Sequence, residues 1–297
     1  MSNIVELYGV FTGSDADWPS IVQAQQCPFL QRKCLKNRKS SPDITIGSCM
    51  IAAGKGGAKT MICPFRLLER RQIFTDCIHL LTLHEPGNEL HIVPELSIPG
   101  GSTDYCLVSV RNGKPIDFVG IELQTLDTTG TAWPERQRFL HQHGIKVKAA
   151  DRKSQKPFGL NWKMTAKTIL IQLHHKIQTF EYVSKHLVLV AQDCLIAYMK
   201  KAFSFDHLSA PRLGDAMHFH AYSLKDEQHT LRLQLEERWS TDGDGIAKCL
   251  GLQAEANVDL DAILKQLEAK ISSHTLMSME QPPPAARLIE DAADDES

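Results

Sequence analysis

The chain has 297 residues, 42% hydrophobic and 23% charged, with a formal net charge of −2, enough for one large or two small domains with a real core. No run of about eighteen apolar residues occurs, which excludes a membrane-spanning helix on sequence grounds, and Met1-Ser2-Asn3-Ile4-Val5-Glu6 lacks the charged and apolar regions of a secretory signal. Eight cysteines without such a signal favour a reducing, cytoplasmic setting and metal binding over disulfides.

In chain order, Asp15-Ala16-Asp17-Trp18-Pro19-Ser20 reads as a helix start. Residues 27–63 hold Cys27, Cys34, Cys49 and Cys63 and the segment Gly54-Lys55-Gly56-Gly57, which predicts irregular chain shaped by a metal. Residues 64–83 read as a helix, with Phe65, Leu67, Leu68, Ile73, Phe74, Cys77, Ile78 and Leu81 near helical spacing. Strands are expected at 91–96, 105–110 and 116–125, punctuated by Pro99-Gly100-Gly101 and by Asn112-Gly113, a strong hairpin signal. A long amphipathic helix over 165–186 is followed by Leu187-Val188-Leu189-Val190-Ala191, whose all-apolar run implies a strand buried on both faces. Helix is expected again at 194–201. Residues 230–239 fit either period, with leucines at 231, 233 and 235 favouring strand. A helix at 258–271 precedes Gln281-Pro282-Pro283-Pro284 and a disordered acidic tail. The order implies an α/β fold with a mixed central sheet, and the lack of G-x-G-x-x-G after the first strand argues against a Rossmann unit. Three regions are expected: 1–64 carrying the cysteines, 65–275 carrying the core with helical additions, and 276–297 as tail.

The net charge hides an asymmetry. Residues 21–71 carry a local +8 and residues 281–297 a local −4. A basic N-terminal third is compatible with a polyanionic partner and equally with a solvated surface. The four cysteines, with six, fourteen and thirteen residues between them, form a plausible thiolate set for one tetrahedral metal, iron or zinc. Cys77 is the nearest replacement if one ligand is wrong. Cys106, Cys194 and Cys249 sit in apolar stretches and read as core.

The acids carry the sharper signal. Asp104 opens the second strand of the hairpin and Glu122 lies late in the third, so the turn at Asn112-Gly113 brings them to one end of the ladder. Glu95, on the preceding strand, adds a third acid. Gln124 is two residues beyond Glu122 and shares its face. A glutamate inside Val119-Gly120-Ile121-Glu122-Leu123 is costly unless paired or metal-bound, and two carboxylates at a strand end suit Mg²⁺. His174-His175, His218 and His220 invite a ligand role but read more readily as surface or core histidines. Arg136, Arg138 and residues 146–156 are candidate phosphate contacts.

Gly101-Ser102-Thr103-Asp104-Tyr105 followed by Phe118-Val119-Gly120-Ile121-Glu122-Leu123-Gln124-Thr125 resembles the PD-(D/E)XK nuclease core. Upstream, Cys27-Pro28-Phe29, Cys34, Lys36, Arg38-Lys39-Ser40, Pro42, Ile46-Gly47, Cys49 and Ile62-Cys63-Pro64 look like the NotI- and EagI-type restriction endonucleases, over roughly residues 20–200. The resemblance implies a bacterial, Mg²⁺-dependent type II restriction endonuclease that acts as a homodimer on double-stranded DNA. Its expected target is a GC-rich palindrome containing GGCC, cut to leave four-base 5′ overhangs. It further implies iron on Cys27, Cys34, Cys49 and Cys63, Mg²⁺ on Asp104 and Glu122, and catalysis by these with Gln124 and Glu95. Arg32, Lys33, Arg38 and Lys39 are the candidate DNA-reading residues. One departure stands out: the superfamily's strand lysine is Gln124 here, which leaves no cation at that point. The competing readings are a zinc-ribbon DNA-binding protein without catalysis and a non-specific repair nuclease of the same fold.

Overall fold

The computed structural model describes residues 3–38, 40–54, 56–154, 158–227, 230–252, 265 and 269. It is α/β, with a mixed six-stranded central sheet and seven α-helices among the described residues. The chain divides into two units, residues 1–253 and 254–297. The expected helix at 258–271, apart from Lys265 and Ala269, and the acidic tail lie outside the described residues.

A small N-terminal sheet comes first, built from β1 (Ile4–Leu7), β2 (Val10–Phe11), β3 (Ser48–Ala53) and β4 (Ala58–Met61) in the order β2-β1-β3-β4. Between its strands, α1 (Trp18–Ala24) is capped by Asp17, whose carboxylate accepts from the Ser20 amide, as the sequence led one to expect. The segment 27–63 is not irregular. Short pairings of Gln26–Cys27 with Arg32–Lys33 and of Asn37–Arg38 with Ser41–Thr45 precede the β3–β4 hairpin. Backbone pairing and buried Met50, Ile51 and Met61 order the segment.

Residues 64–83 also depart from expectation. Instead of one helix, a 3₁₀ segment Pro64–Arg71 runs into α2 (Gln72–Thr75) and a 3₁₀ turn Ile78–Leu80. The break is at Arg70 and Arg71, both left-handed at φ 52° and 57°, a conformation that stops an α-helix. The apolar side chains still reach the core, because burial sets their spacing whichever turn type carries them.

The central sheet has the order β10-β9-β8-β7-β6-β5: β5 (Glu89–Ile98), β6 (Gly101–Arg111), β7 (Lys114–Gln124), β8 (His186–Gln192), β9 (Met217–Glu227) and β10 (Thr230–Thr241). β5, β6 and β7 form the expected antiparallel meander, and Asn112 and Gly113 both take positive φ in the tight turn between β6 and β7. β7, β8 and β9 are parallel neighbours. β8 is buried along its whole length, which explains its unbroken apolar sequence. β9, which the sequence reading did not identify, alternates Met217, Phe219 and Ala221 with His218, His220 and Tyr222, all of them buried.

Helices α3 (Trp133–Gln142), α4 (Ala149–Lys153) and α5 (Trp162–Tyr182) form the crossover from β7 to β8, and α6 (Asp193–Ala202) follows β8. α5 ends four residues earlier than expected, before Ser184 at φ 53°, and His186 begins β8 instead. Ala166, Ile169, Leu170, Leu173, Ile177 and Phe180 bury one stripe of α5 with Leu187, Leu189, Phe219 and Ala221, and α7 (Gly243–Cys249) adds Ile246 to that layer. Each of the isoleucine, leucine and phenylalanine side chains contributes roughly 1.5–3 kcal/mol, the alanines less. The other sheet face packs Val119, Ile121, Val188 and Val190 on Met50, Met61, Leu67 and Phe74. Arg66 crosses this layer, donating to Glu6, Glu69 and the Leu231 carbonyl. Gln192 adds a second tie, accepting from the Met61 amide and donating to the Lys59 carbonyl, both at 2.8 Å.

Candidate active site

The meander register sets the acids in line. Tyr105 pairs with Ile121 on one side and Pro94 on the other, so the next pair along places Asp104 between Glu122 and Glu95. Three acids therefore share one level across β5, β6 and β7, as the sequence reading expected. Cross-strand neighbours in such a row stand about 4.5–5.5 Å apart at Cβ, close enough for each carboxylate to feel the next. Glu95 adopts a left-handed φ of 51°, an uncommon conformation for a non-glycine residue.

Glu122 is the buried member at 4% exposure, and it is not alone. Lys176 of α5, 7% exposed, donates from Nζ to Glu122 Oε1 at 2.8 Å. Burial pushes the Glu122 carboxyl up to about 7; the bond and charge of Lys176 act against that rise, and Asp104 adds to it. Asp104 lies at the exposed rim and accepts the Leu123 amide at 2.7 Å. Lost hydration raises its carboxyl too, the Leu123 amide and Lys176 pull it down, and Glu95 pushes it up. Gln124 is half-buried and its amide donates to the Thr125 carbonyl at 2.6 Å.

Lys176 corrects the expectation that Gln124 leaves the acids without a cation. The charge comes from the crossover helix, not from the strand. Sequence reading missed it because α5 offers several lysines and nothing in its periodicity singles out the one that faces a buried acid. The signal was indirect: a glutamate inside an apolar strand needs a partner, and Lys176 lies on the apolar stripe with Leu173, Ile177 and Phe180.

The hairpin turn holds α5 against the acids. Gly100, at φ 89°, lies so close to α5 that a Cβ there would stand 2.2 Å from the His175 carbonyl oxygen. Thr179 Oγ1 donates to the Pro99 carbonyl one turn further on.

The four cysteines are all buried and free. Cys49 Sγ donates to the Gly47 carbonyl at 3.4 Å; the neighbouring Cys63 thiol raises Cys49, and Cys49 in turn lowers Cys63 to about 6, with the Lys36 charge helping the latter. Cys27 feels both Cys34 and Cys63, and burial raises its thiol. Their donor chemistry fits a thiophilic ion, although among the described residues no three His, Cys, Asp or Glu side chains are grouped to hold a metal. Cys77 belongs elsewhere. It is fully buried beside His220, with Sγ 3.9 Å from Nδ1.

Of the candidate DNA-reading residues, Arg32 and Lys33 are exposed on their short strand, and Lys39 lies outside the described residues. Arg38 is engaged by Asp151. Arg136 is not a phosphate contact. It is buried, donating to the Ile46 and Thr45 carbonyls and to Tyr8. Arg138 likewise braces α3, through Glu135 and the Arg152 and Ser154 carbonyls. His218 and His220 are core residues; His218 Nε2 lies 3.1 Å from His186 Nδ1 and 2.9 Å from the Asp215 carbonyl. No helix is long and apolar enough to cross a membrane among the described residues. No family model matches the chain, and no curated protein matches it.

Proposed function

We propose that the chain is a Mg²⁺-dependent type II restriction endonuclease with a PD-(D/E)XK-like core, hydrolysing phosphodiesters of double-stranded DNA. The observation that supports this best is the row Glu95, Asp104 and Glu122 with Lys176 bonded to its buried member. In this reading Asp104 and Glu122 hold the ion, which when bound supplies Lewis acidity to the phosphoryl oxygen and lowers the pKa of a water. Lys176 opposes the rise that burial imposes on the Glu122 carboxyl and would add positive charge beside the pentavalent phosphate as it gathers negative charge. Gln124, on the same strand face as Glu122, would orient the attacking water. Water oxygen bonds to phosphorus as one P–O ester bond breaks, and the departing oxygen takes up a proton.

The further parts of the reading rest on the residue patterns. Cys27, Cys34, Cys49 and Cys63 hold one iron or zinc ion that fixes the basic segment. The enzyme works in the bacterial cytoplasm as a homodimer, whose two-fold axis matches a palindrome containing GGCC, and it leaves four-base 5′ overhangs. Digestion of supercoiled plasmid with Mg²⁺ tests it. Discrete bands whose termini sequence as 5′ overhangs support the proposal. A smear means a non-specific nuclease, and binding without cleavage means a DNA-binding module.

A further inference from the structure

Arg38 differs from Arg32, the other arginine of the cysteine segment, in how completely its plane is fixed. Its Nη1 and Nη2 donate to the two carboxylate oxygens of Asp151, each at 2.9 Å, the bidentate fork that guanidinium and carboxylate favour. Its Cζ also lies 4.3 Å from the ring centroid of Trp133, a cation–π distance. Trp133 is held in turn: Arg136 Cζ stands 4.7 Å from the same ring, and Arg136 is anchored to the Ile46 carbonyl at 2.6 Å. The fork uses one N–H of each terminal nitrogen. The Nε–H and the remaining terminal N–H groups of Arg38 take no partner among the described residues.

Arg38 lines a cleft of about 610 Å³ just past the end of β7, between the cysteine segment, residues 126–134 and α4. The volume is that of a site for a small organic group. Ser48, 3% exposed, also lines the cleft, and its buried hydroxyl has no hydrogen-bond partner, a cost that a bound polar group would relieve. The charges lining the cleft cancel: Lys36 and Arg38 against Asp127 and Asp151. A phosphate, drawn by net positive charge, is poorly served there. A neutral planar edge with two adjacent acceptors is well served, and in DNA that edge is the O6/N7 side of guanine.

We propose that Arg38 is a specificity-determining residue that reads a guanine through its free edge, with Asp151 and Trp133 as the residues that position it. The inference rests on the endonuclease reading for its ligand, since it takes DNA as the partner.

The test uses the full chain in Ca²⁺ without chelator, so that DNA is bound but not cut and any thiolate-held ion is kept, partitioned against a random-core DNA duplex pool, with the bound fraction sequenced. Wild type, Arg38→Lys, Arg38→Ala and Asp151→Asn are compared, and wild type is assayed in parallel for plasmid cleavage in Mg²⁺. Arg38→Lys keeps the charge and stem but not the fork, so it separates readout from a folding defect. Wild type is expected to enrich a motif with guanine at a fixed position. Arg38→Lys should lose preference there by about tenfold or more with other positions unchanged, and Asp151→Asn should lose part of it. An unchanged motif in Arg38→Lys overturns the assignment while leaving the endonuclease standing if plasmid is cut. Even weakening at all positions marks a phosphate contact and also overturns it. A wild type that cuts plasmid yet enriches no sequence overturns it as well. If wild type neither cuts nor enriches, the endonuclease reading falls and takes this inference with it.

Discussion

Lys176 and Glu122 stand 54 residues apart in sequence and meet as a buried ion pair, Nζ to Oε1 at 2.8 Å. Such a pair adds little net stability, because desolvating both charges offsets most of their attraction, but removing one partner strands the other in a low-dielectric interior. The pair therefore ties α5 to β7 as firmly as a packed apolar contact would, and it does so at the acid row.

Lys176→Met is expected to lower unfolding stability by about 3–5 kcal/mol, and the double variant Lys176→Met with Glu122→Gln to recover much of that loss. Urea titrations read by circular dichroism measure both. A single-variant loss below about 1 kcal/mol would show that the pair is hydrated like a surface bridge.

Catalysis gives a second expectation. Asp104→Asn and Glu122→Gln should each lower plasmid cleavage by about a hundredfold or more while binding in Ca²⁺ persists. Gln124→Ala should fall further than Gln124→Lys, because alanine cannot orient a water and Lys176 already provides the cation that a strand lysine would duplicate. If binding vanishes together with cleavage in both acid variants, the acids are structural.

The cysteines give a third. Purified protein should carry about one iron or zinc per chain, measured by plasma emission spectrometry. Cys34→Ser and Cys49→Ser should lower both the metal content and the melting temperature. Full metal in either variant refutes the ligand set.

Acid should loosen the fold through β9. Burial depresses His218 to about 4 and His220 to about 3, below the ordinary 6.5, so both are neutral when folded. Their contribution is complete above about pH 6.5 and is lost as pH falls from there towards 4, at about 1.4 kcal/mol per unit and proton. Glu6 and Glu122, both raised to about 7, act in the opposite sense. Their contribution is largest below about 4.5 and is lost as pH rises through 7. Urea midpoints between pH 7 and 4.5 should consequently fall less steeply for a His218→Gln and His220→Gln double variant than for wild type. Parallel slopes would contradict this.

Gly100→Ala tests the seating of α5. A methyl group 2.2 Å from the His175 carbonyl must push the hairpin and α5 apart, moving Lys176 off Glu122. Cleavage should drop with the melting temperature, whereas Gly113→Ala, in open space at φ 72°, should cost only the backbone strain of about 1 kcal/mol and leave cleavage intact.

The meander was legible because Asn112-Gly113 dictates a two-residue turn and the flanking strands carry strong apolar runs. That geometry delivered Asp104, Glu122 and Glu95 together. β8 was legible from Leu187–Ala191, where no polar residue interrupts. β9 was not, since His218 and His220 drew attention as ligands while their alternation with Met217, Phe219 and Ala221 was the period of a strand buried on both faces. The N-terminal strands are only two to six residues long, too short for periodicity to register beside the cysteine spacing. Arg136 read as a free cation because its partners, the Ile46 and Thr45 carbonyls and Tyr8, are remote in sequence and two of them are backbone atoms. Lys176 failed for a related reason: its partner is set by how a crossover helix lies on the sheet.

That placement makes the acid row depend on helical phase. Lys176 lies fourteen residues after Trp162, the first residue of α5, about 21 Å along the axis at 1.5 Å per residue. A residue added to the loop at Gly144 is absorbed before the helix begins. The same residue added between Ile169 and Leu170 rotates everything downstream by about 100°, carrying the ammonium around the cylinder and bringing a different side chain over Glu122. Insertions and deletions in this chain are therefore sorted by whether they fall before or within α5, with no dependence on how far they lie from the carboxylates.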